Sequence, residues 1–165
     1  MIKLKLIKIK GDEADHCKSA IVTKEVKELV DAKQIDSELL LRIAQGKAAL
    51  GLFGVPPKSI NSKNKDKFIA TIHEVIVPED ARFKTNACKK EIKIEIWFFF
   101  TSIDYAKRDV DNNIKNLVDS LKGKWCDDDA QIKQIIAEKV EIKEFDRSKD
   151  KRLYEQILCI ASVIE

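Results

Sequence analysis

Asp109 and Asp111 stand one residue apart, Lys115 follows at a spacing of four from Asp111, and a second acidic run, Asp127-Asp128-Asp129, lies shortly downstream. Between the two acidic groups Ile114, Leu117, Val118 and Leu121 recur at i, i+3, i+4 and i+7, which predicts a helix with one buried face. Asp111 or Asn112 suits its N-cap and Gly123 its C-terminal stop. The spacing of four then sets Lys115 one turn above Asp111, on an exposed edge away from the apolar stripe. Carboxylates gathered in one place repel one another unless a cation intervenes, and hard oxygen donors select Mg²⁺ or Mn²⁺. Beside such an ion a lysine suits phosphoryl chemistry: the ion activates water and neutralises developing charge, while the ammonium binds the scissile phosphate. The same residues also read as an acidic helix cap and a solvated turn, and spacing alone does not separate the two. A calcium loop of the EF-hand type is excluded, because Ile114 occupies the position of its turn glycine and Ser120 that of its closing glutamate.

The elements around this helix read as strands. From Lys90 to Thr101 the isoleucines at 92, 94 and 96 and the phenylalanines at 98 and 100 share one parity, while the other parity turns apolar towards its end, the pattern of a central strand. Ile132 to Ile142 and Leu153 to Ile164 are β-rich runs, and the charged connector from Lys143 to Arg152 suits a hairpin between them. The strand after Gly123 is expected to run back alongside Trp97 to Thr101 and so return the second acidic group towards Asp109. Strands before and after a central helix make the fold α+β.

Upstream, Ile2, Leu4 and Leu6 alternate as in a short strand, Thr23 suits the N-cap of a helix, and a second helical run, Leu39 to Ala44, stops at Gly46. The apolar stretch Leu50 to Val55 runs into Pro56-Pro57, which forbid a helix interior. Lys58, Lys63, Lys65 and Lys67 against a single Asp66 form a candidate phosphate contact, although a lysine-rich loop is as a rule merely solvated. Phe68, Ile72, His73, Val75 and Ile76 form a helical stripe ending near Pro78, in which His73 is an ordinary helix residue.

A chain of 165 residues is one domain's worth, and 44% apolar with 36% charged residues excludes both a disordered and a membrane-spanning class. The N-terminal ten residues interleave lysines with apolar residues and lack the unbroken core of a signal peptide, so a cytoplasmic location is expected. Net charge is only +3 and names no partner. The four cysteines, Cys17, Cys88, Cys126 and Cys159, are dispersed and read as free buried thiols.

The run Arg108-Asp-x-Asp-Asn-x-x-Lys115, then Asp119-x-Leu-x-Gly123, Trp125 and Asp128-Asp129-Ala-Gln131-Ile132, resembles the RusA family of Holliday junction resolvases. Val55-Pro-Pro-Lys-Ser-Ile-Asn61 resembles that family's proline-rich segment after its first strand. The resemblance implies a single α+β domain over residues 50–165, a mixed β-sheet flanked by helices, preceded by an extension over residues 1–49 with no counterpart. It implies catalytic residues Asp109, Asp111, Lys115 and Asp129, with Asp109, Asp111 and Asp129 as metal ligands and Asp119 in a supporting or packing role. Alignment from Trp125 favours Asp128 as the third ligand and alignment from Ala130-Gln131 favours Asp129; Asp129 is preferred. It also implies a Mg²⁺-dependent homodimer, with Mn²⁺ as the related ion, that binds four-way DNA junctions and cuts two symmetry-related strands. Lys58, Lys63, Lys65, Lys67, Lys107 and Arg108 are the candidate DNA contacts, and with Lys84, Lys89 and Lys90 they are expected to form one patch around the acidic site. A nuclease for flaps or forks would share every catalytic residue, and a non-catalytic binder of branched DNA would as a rule lack one of them.

Overall fold

The computed structural model describes residues 21–57, 65–76 and 81–165. The strand expected near Ile2 to Leu6, Cys17, Lys58 and Lys63 lie outside them. Helices α1 (Lys24–Gln34) and α2 (Ser37–Ala44) start where hydrogen-bonding caps allow: the Thr23 hydroxyl accepts from the Val26 amide, and the Asp36 carboxylate from those of Glu38 and Leu39. Strand β1 (Ala48–Phe53), helices α3 (Lys65–Val75) and α4 (Ala81–Ala87), strand β2 (Ile92–Thr101), helices α5 (Ser102–Lys107) and α6 (Val110–Leu121) and strands β3 (Ile132–Ile142) and β4 (Gln156–Val163) follow.

The sheet order is β1-β4-β2-β3, with β4 antiparallel to both its neighbours and β3 parallel to β2. The fold is α+β with a mixed four-stranded sheet, as expected. β2 is central, and its even-numbered residues Ile92 to Phe100 are fully buried against Phe68 and Ile72 of α3, Phe83 of α4 and Leu117 and Leu121 of α6. On the other face Phe99 packs with Val26 and Val30 of α1, Leu52, Tyr154 and Leu158.

Two expectations about the strands are corrected. The connector between β3 and β4 is not a hairpin: β4, buried almost throughout as an interior strand must be, inserts between β1 and β2, and β3 is left on the far side of β2. Nor does the strand after Gly123 begin beside Trp97 to Thr101. Ile132 pairs with Ile92 and Ile142 with Thr101, so β3 starts at the start of β2. A parallel pair needs a crossover, and α6 supplies it by carrying the chain back along the sheet.

The turn after α6 is built around Trp125. Gly123 takes φ +77°, a left-handed conformation open to glycine at a helix stop, and the amides of Trp125 and Lys124 close onto the Leu121 carbonyl. Trp125 itself is buried between Phe53 and Phe83, with ring centroids at 5.9 and 6.2 Å. Gly51 makes room for this stack: a Cβ there would meet Phe53 at 2.8 Å and Trp125 at 3.1 Å. Trp125→Ala should therefore destabilise the chain by about 3–5 kcal/mol in urea unfolding, because the cavity opens between three elements that cannot all collapse into it.

Candidate active site

The N-cap of α6 is Asp109, not the expected Asp111 or Asn112, and its carboxylate accepts from the Asp111 amide at 3.2 Å. Asn113 locks the corner by donating from its buried amide to the Asp109 carbonyl. Asp109, Asp111 and Lys115 are all exposed, with Asp111 and Lys115 one helical turn apart. The buried face of α6 holds more polar groups than its apolar stripe suggests, since Asn113, Asn116 and Ser120 are buried with Leu117 and Leu121. Ser120 returns a hydrogen bond to the Asn116 carbonyl, and its own carbonyl meets Nε2 of His73 at 2.7 Å, fixing α3 to α6. His73 is thus a packing residue of α3.

The corner before Asp109 is held by β3. The Lys139 ammonium donates to the carbonyls of Tyr105 (2.7 Å) and Arg108 (3.1 Å) and lies over the Tyr105 ring. Lys139 went unnoticed in the sequence, where it is one lysine among many; its signal is its place on the same strand face as Ala137.

Beneath the corner lies a buried carboxyl pair. Asp104 of α5 meets Lys151 at 2.9 Å and Arg108 at 3.7 Å, and Glu155 accepts from the Thr101 hydroxyl at 3.3 Å. Burial, then the hydrogen bond to Asp104, push the Glu155 carboxyl up to about 8. Burial would also raise Asp104, but the hydrogen bond from Glu155 and the Lys151 and Arg108 charges outweigh it and hold Asp104 below the usual range. The pair carries one proton and one charge at neutral pH.

The second acidic group is organised by Gln131. Its side-chain oxygen accepts from the amides of Asp127 (2.7 Å) and Asp128 (3.1 Å), and its NH₂ donates to the carbonyls of Ala87 and Lys90, both at 3.0 Å. Asp128 caps the short 3-10 turn Asp129–Gln131 by accepting from the Ala130 amide, the main cause that holds its carboxyl below the usual range. Asp127 accepts from the Cys88 thiol at 2.8 Å. Cys88 is exposed, contrary to expectation, because this contact sits at the rim of the turn; Cys126 and Cys159 are buried, and burial pushes the Cys126 thiol up to about 11. Asp129 keeps a half-exposed side chain 3.5 Å from Lys122.

One chain does not bring the two acidic groups together. Asp109 and Asp111 stand at the start of α6 and Asp128 and Asp129 follow its end, with about 18 Å of helix between. Among the described residues no three His, Cys, Asp or Glu side chains gather as a cation site requires. The basic candidates divide likewise. Lys107 and Arg108 are exposed beside Asp109, whereas Lys84, Lys89 and Lys90 stand near the Asp127 turn, where Lys84 meets Asp127 at 3.9 Å. Lys65 is engaged with Asp119 at 2.9 Å, which gives Asp119 a packing contact between α3 and α6, and Lys67 is exposed on α3.

The sequence model of the family described as endodeoxyribonuclease RusA matches residues 56–148, more than half of the chain. The chain belongs to the RusA family. No curated protein matches it. The RusA match takes in α3 to β3, including Asp109, Asp111, Lys115, Asp128 and Asp129, and membership makes the chain an endodeoxyribonuclease of the Holliday-junction-resolving kind. Among the described residues no helix is long and apolar enough to cross a membrane.

The carboxyl pair gives a pH signature. In the folded RusA chain Glu155 keeps its proton up to about pH 8, whereas unfolded it ionises near 4.5, so unfolding at neutral pH releases a proton. Stability should fall by a few kcal/mol at most as pH rises from about 5 to about 8. Asp104 acts in the opposite sense, its contribution being lost only as pH falls below the ordinary aspartate range. Urea midpoints across pH 5–9 should show the decline in the native chain and a flatter profile in Glu155→Gln.

Proposed function

We propose that the chain is a Mg²⁺-dependent resolvase of four-way DNA junctions that acts as a homodimer in the cytoplasm, with Mn²⁺ able to replace Mg²⁺. Residues 50–165 form its catalytic unit and residues 1–49 an extension, of which α1 covers one face of the sheet. The observation that carries the reading is the exposed rim formed by Asp109, Asp111 and Lys115 at the positively polarised start of α6, flanked by Lys107 and Arg108. Two carboxylates are short of a full set of protein donors for a hard divalent ion. The third is Asp129 of a second copy, with Asp128, already engaged as a cap, as the alternative donor. When bound, the ion supplies Lewis acidity and charge neutralisation at the scissile phosphate.

In this reading Lys115 holds the non-bridging oxygens of the phosphate, and Arg108, Lys107 and Lys67 bind neighbouring phosphates, as do Lys58, Lys63 and Lys65. Asn113 and Lys139 fix the corner that carries Asp109, and act through it. A four-way junction is pseudo-two-fold, so a two-fold dimer presents equivalent sites to two of its strands.

The test is single-turnover cleavage of an end-labelled four-way junction with Mg²⁺ or EDTA, alongside its duplex arms and a flap, with gel-shift binding of the same substrates. Cleavage should be confined to the junction and to Mg²⁺ or Mn²⁺. Asp109→Asn and Asp111→Asn should slow cleavage at saturating enzyme on the order of a hundredfold or more while binding holds or strengthens, since each removes repulsion from a polyanion. Lys115→Ala should slow cleavage comparably with only a small loss of affinity. Near-normal cleavage by Asp109→Asn or Asp111→Asn would leave Asp109 a helix cap and Asp111 an acidic residue of the first turn, and would overturn the mechanism.

A further inference from the structure

The connector from Lys143 to Arg152, between β3 and β4, carries Lys143, Arg147, Lys149, Lys151 and Arg152 against Glu144, Asp146 and Asp150. A charged loop is ordinarily only solvated, but this one is held rigid. The Lys149 amide closes onto the Asp146 carbonyl at 3.1 Å, so Asp146 to Lys149 make a four-residue turn with Arg147 at its second position and Lys149 at its last. The Tyr154 hydroxyl accepts from the Asp146 amide at 3.2 Å, and the ring of this buried tyrosine packs on Phe145 with centroids 5.6 Å apart. The Arg147 guanidinium lies over the outer part of the same stack, 5.7 Å from the Phe145 ring.

The carboxylates of the connector are largely turned back on it. Asp146 accepts from the amide (2.9 Å) and hydroxyl (2.6 Å) of Ser148, and Asp150 caps the 3-10 turn Lys151–Leu153 while meeting the Arg152 guanidinium at 2.6 Å; Glu144 stays exposed. Lys143, Arg147 and Lys149 are exposed and form no ion pair among the described residues. The lysines at the Asp127 turn differ, since Lys84 meets Asp127 and Lys122 meets Asp129. The connector is also fastened to the catalytic corner. Lys151 meets one oxygen of the buried Asp104 carboxylate at 2.9 Å and Nε of Arg108 meets the other at 3.7 Å, so one side chain anchors both the connector and the residue before Asp109.

We propose that the β3–β4 connector is a phosphate clamp: Arg147 and Lys149, with Lys143 beside them, bind the backbone of the DNA arm that leaves the cut, next to the phosphates held by Arg108 and Lys107. The inference rests on the junction-cleaving reading above and adds a contact surface to it. Each strand of a duplex carries one negative charge per ~3.4 Å of axis, so a turn that holds cations within a few residues of one another engages successive phosphates. A guanidinium stacked on a ring keeps its donor edge open to a phosphate. Because the turn is already locked by Tyr154 and Asp146, little conformational freedom is lost when it binds. Contacts of this kind read no bases; they set where the arm lies and so which phosphate meets Asp109 and Lys115.

The test is a full-length chain carrying Arg147→Ala and Lys149→Ala together, with Lys27→Ala, exposed on α1, as the control for overall charge. Both connector side chains lie outside the core, so circular dichroism should match the native chain. In gel shifts on a four-way junction the double variant should bind about tenfold or more weakly at ~0.1 M salt, and its plot of log affinity against log salt should be shallower by about two. Its cleavage deficit should be made up by excess enzyme. Junctions in which single phosphates near the cut are replaced by neutral methylphosphonates give a second, independent readout: the replacements that weaken native binding through the clamp should cost the double variant nothing. If the native chain binds and cleaves the junction while the double variant keeps its affinity and salt slope, loses no more than Lys27→Ala, or suffers the native penalty at every methylphosphonate, the clamp is overturned and the nuclease reading stands. A native chain that neither binds nor cleaves the junction would overturn both.

Discussion

The parallel pairing of β2 with β3 governs everything that happens at the acidic residues. Two parallel neighbours cannot be joined by a turn; the chain must travel back the length of the sheet, and α6 is that return. Any residue before α6 and any residue after it are then held at opposite ends of a stiff helix. Asp109 and Asp111 fall before or within its first turn and Asp128 and Asp129 after its last. The separation is a consequence of topology, so no side-chain rotation within one chain removes it, which is why the proposed metal site takes its third carboxylate from a second copy.

Around that constraint the protein places polar contacts that fix direction and not only position. Gln131 uses both ends of its amide to join the acidic turn to the Ala87 and Lys90 carbonyls, so the Asp129 side chain departs from a rigid base. Lys139 does the corresponding work at the other end, and Asp104 with Glu155 sets Arg108 and Lys151 beneath the same corner. Buried polar groups of this kind are costly unless satisfied, and once satisfied they specify one arrangement.

Much of this was legible in the residues. The alternation from Ile92 to Phe100 marks a central strand because both faces of β2 are covered, and Thr23, Asp36 and Gly123 mark helix ends because their chemistry is local. The acidic motif itself carried the family. What failed was strand order: Ile132–Ile142 and Gln156–Val163 are equally β-rich, and a charged connector does not say whether the second strand returns beside the first or crosses to the far side of β2. A second, separate expectation, that β3 begins beside Trp97 to Thr101 and not beside Ile92, is what set Asp129 at the side of Asp109 instead of beyond the far end of α6. The Asp104–Glu155 pair was equally invisible, since a shared proton depends on burial and on a partner far along the chain. Asp109 is the cap in place of Asp111 or Asn112 because its extended backbone lets the carboxylate reach forward to accept from the Asp111 amide.

The central claim is that one site draws on two chains, and subunit mixing tests it most directly. Asp111→Asn and Asp129→Asn proteins, each inactive alone, should recover cleavage when mixed and allowed to exchange, because each mixed dimer holds one site with both substitutions and one with neither. The product should be a junction nicked in one strand, not the paired incisions of the native dimer. Mixed dimers that form, bind the junction and leave both strands whole would contradict the account, since that result requires each chain to build its site from its own carboxylates.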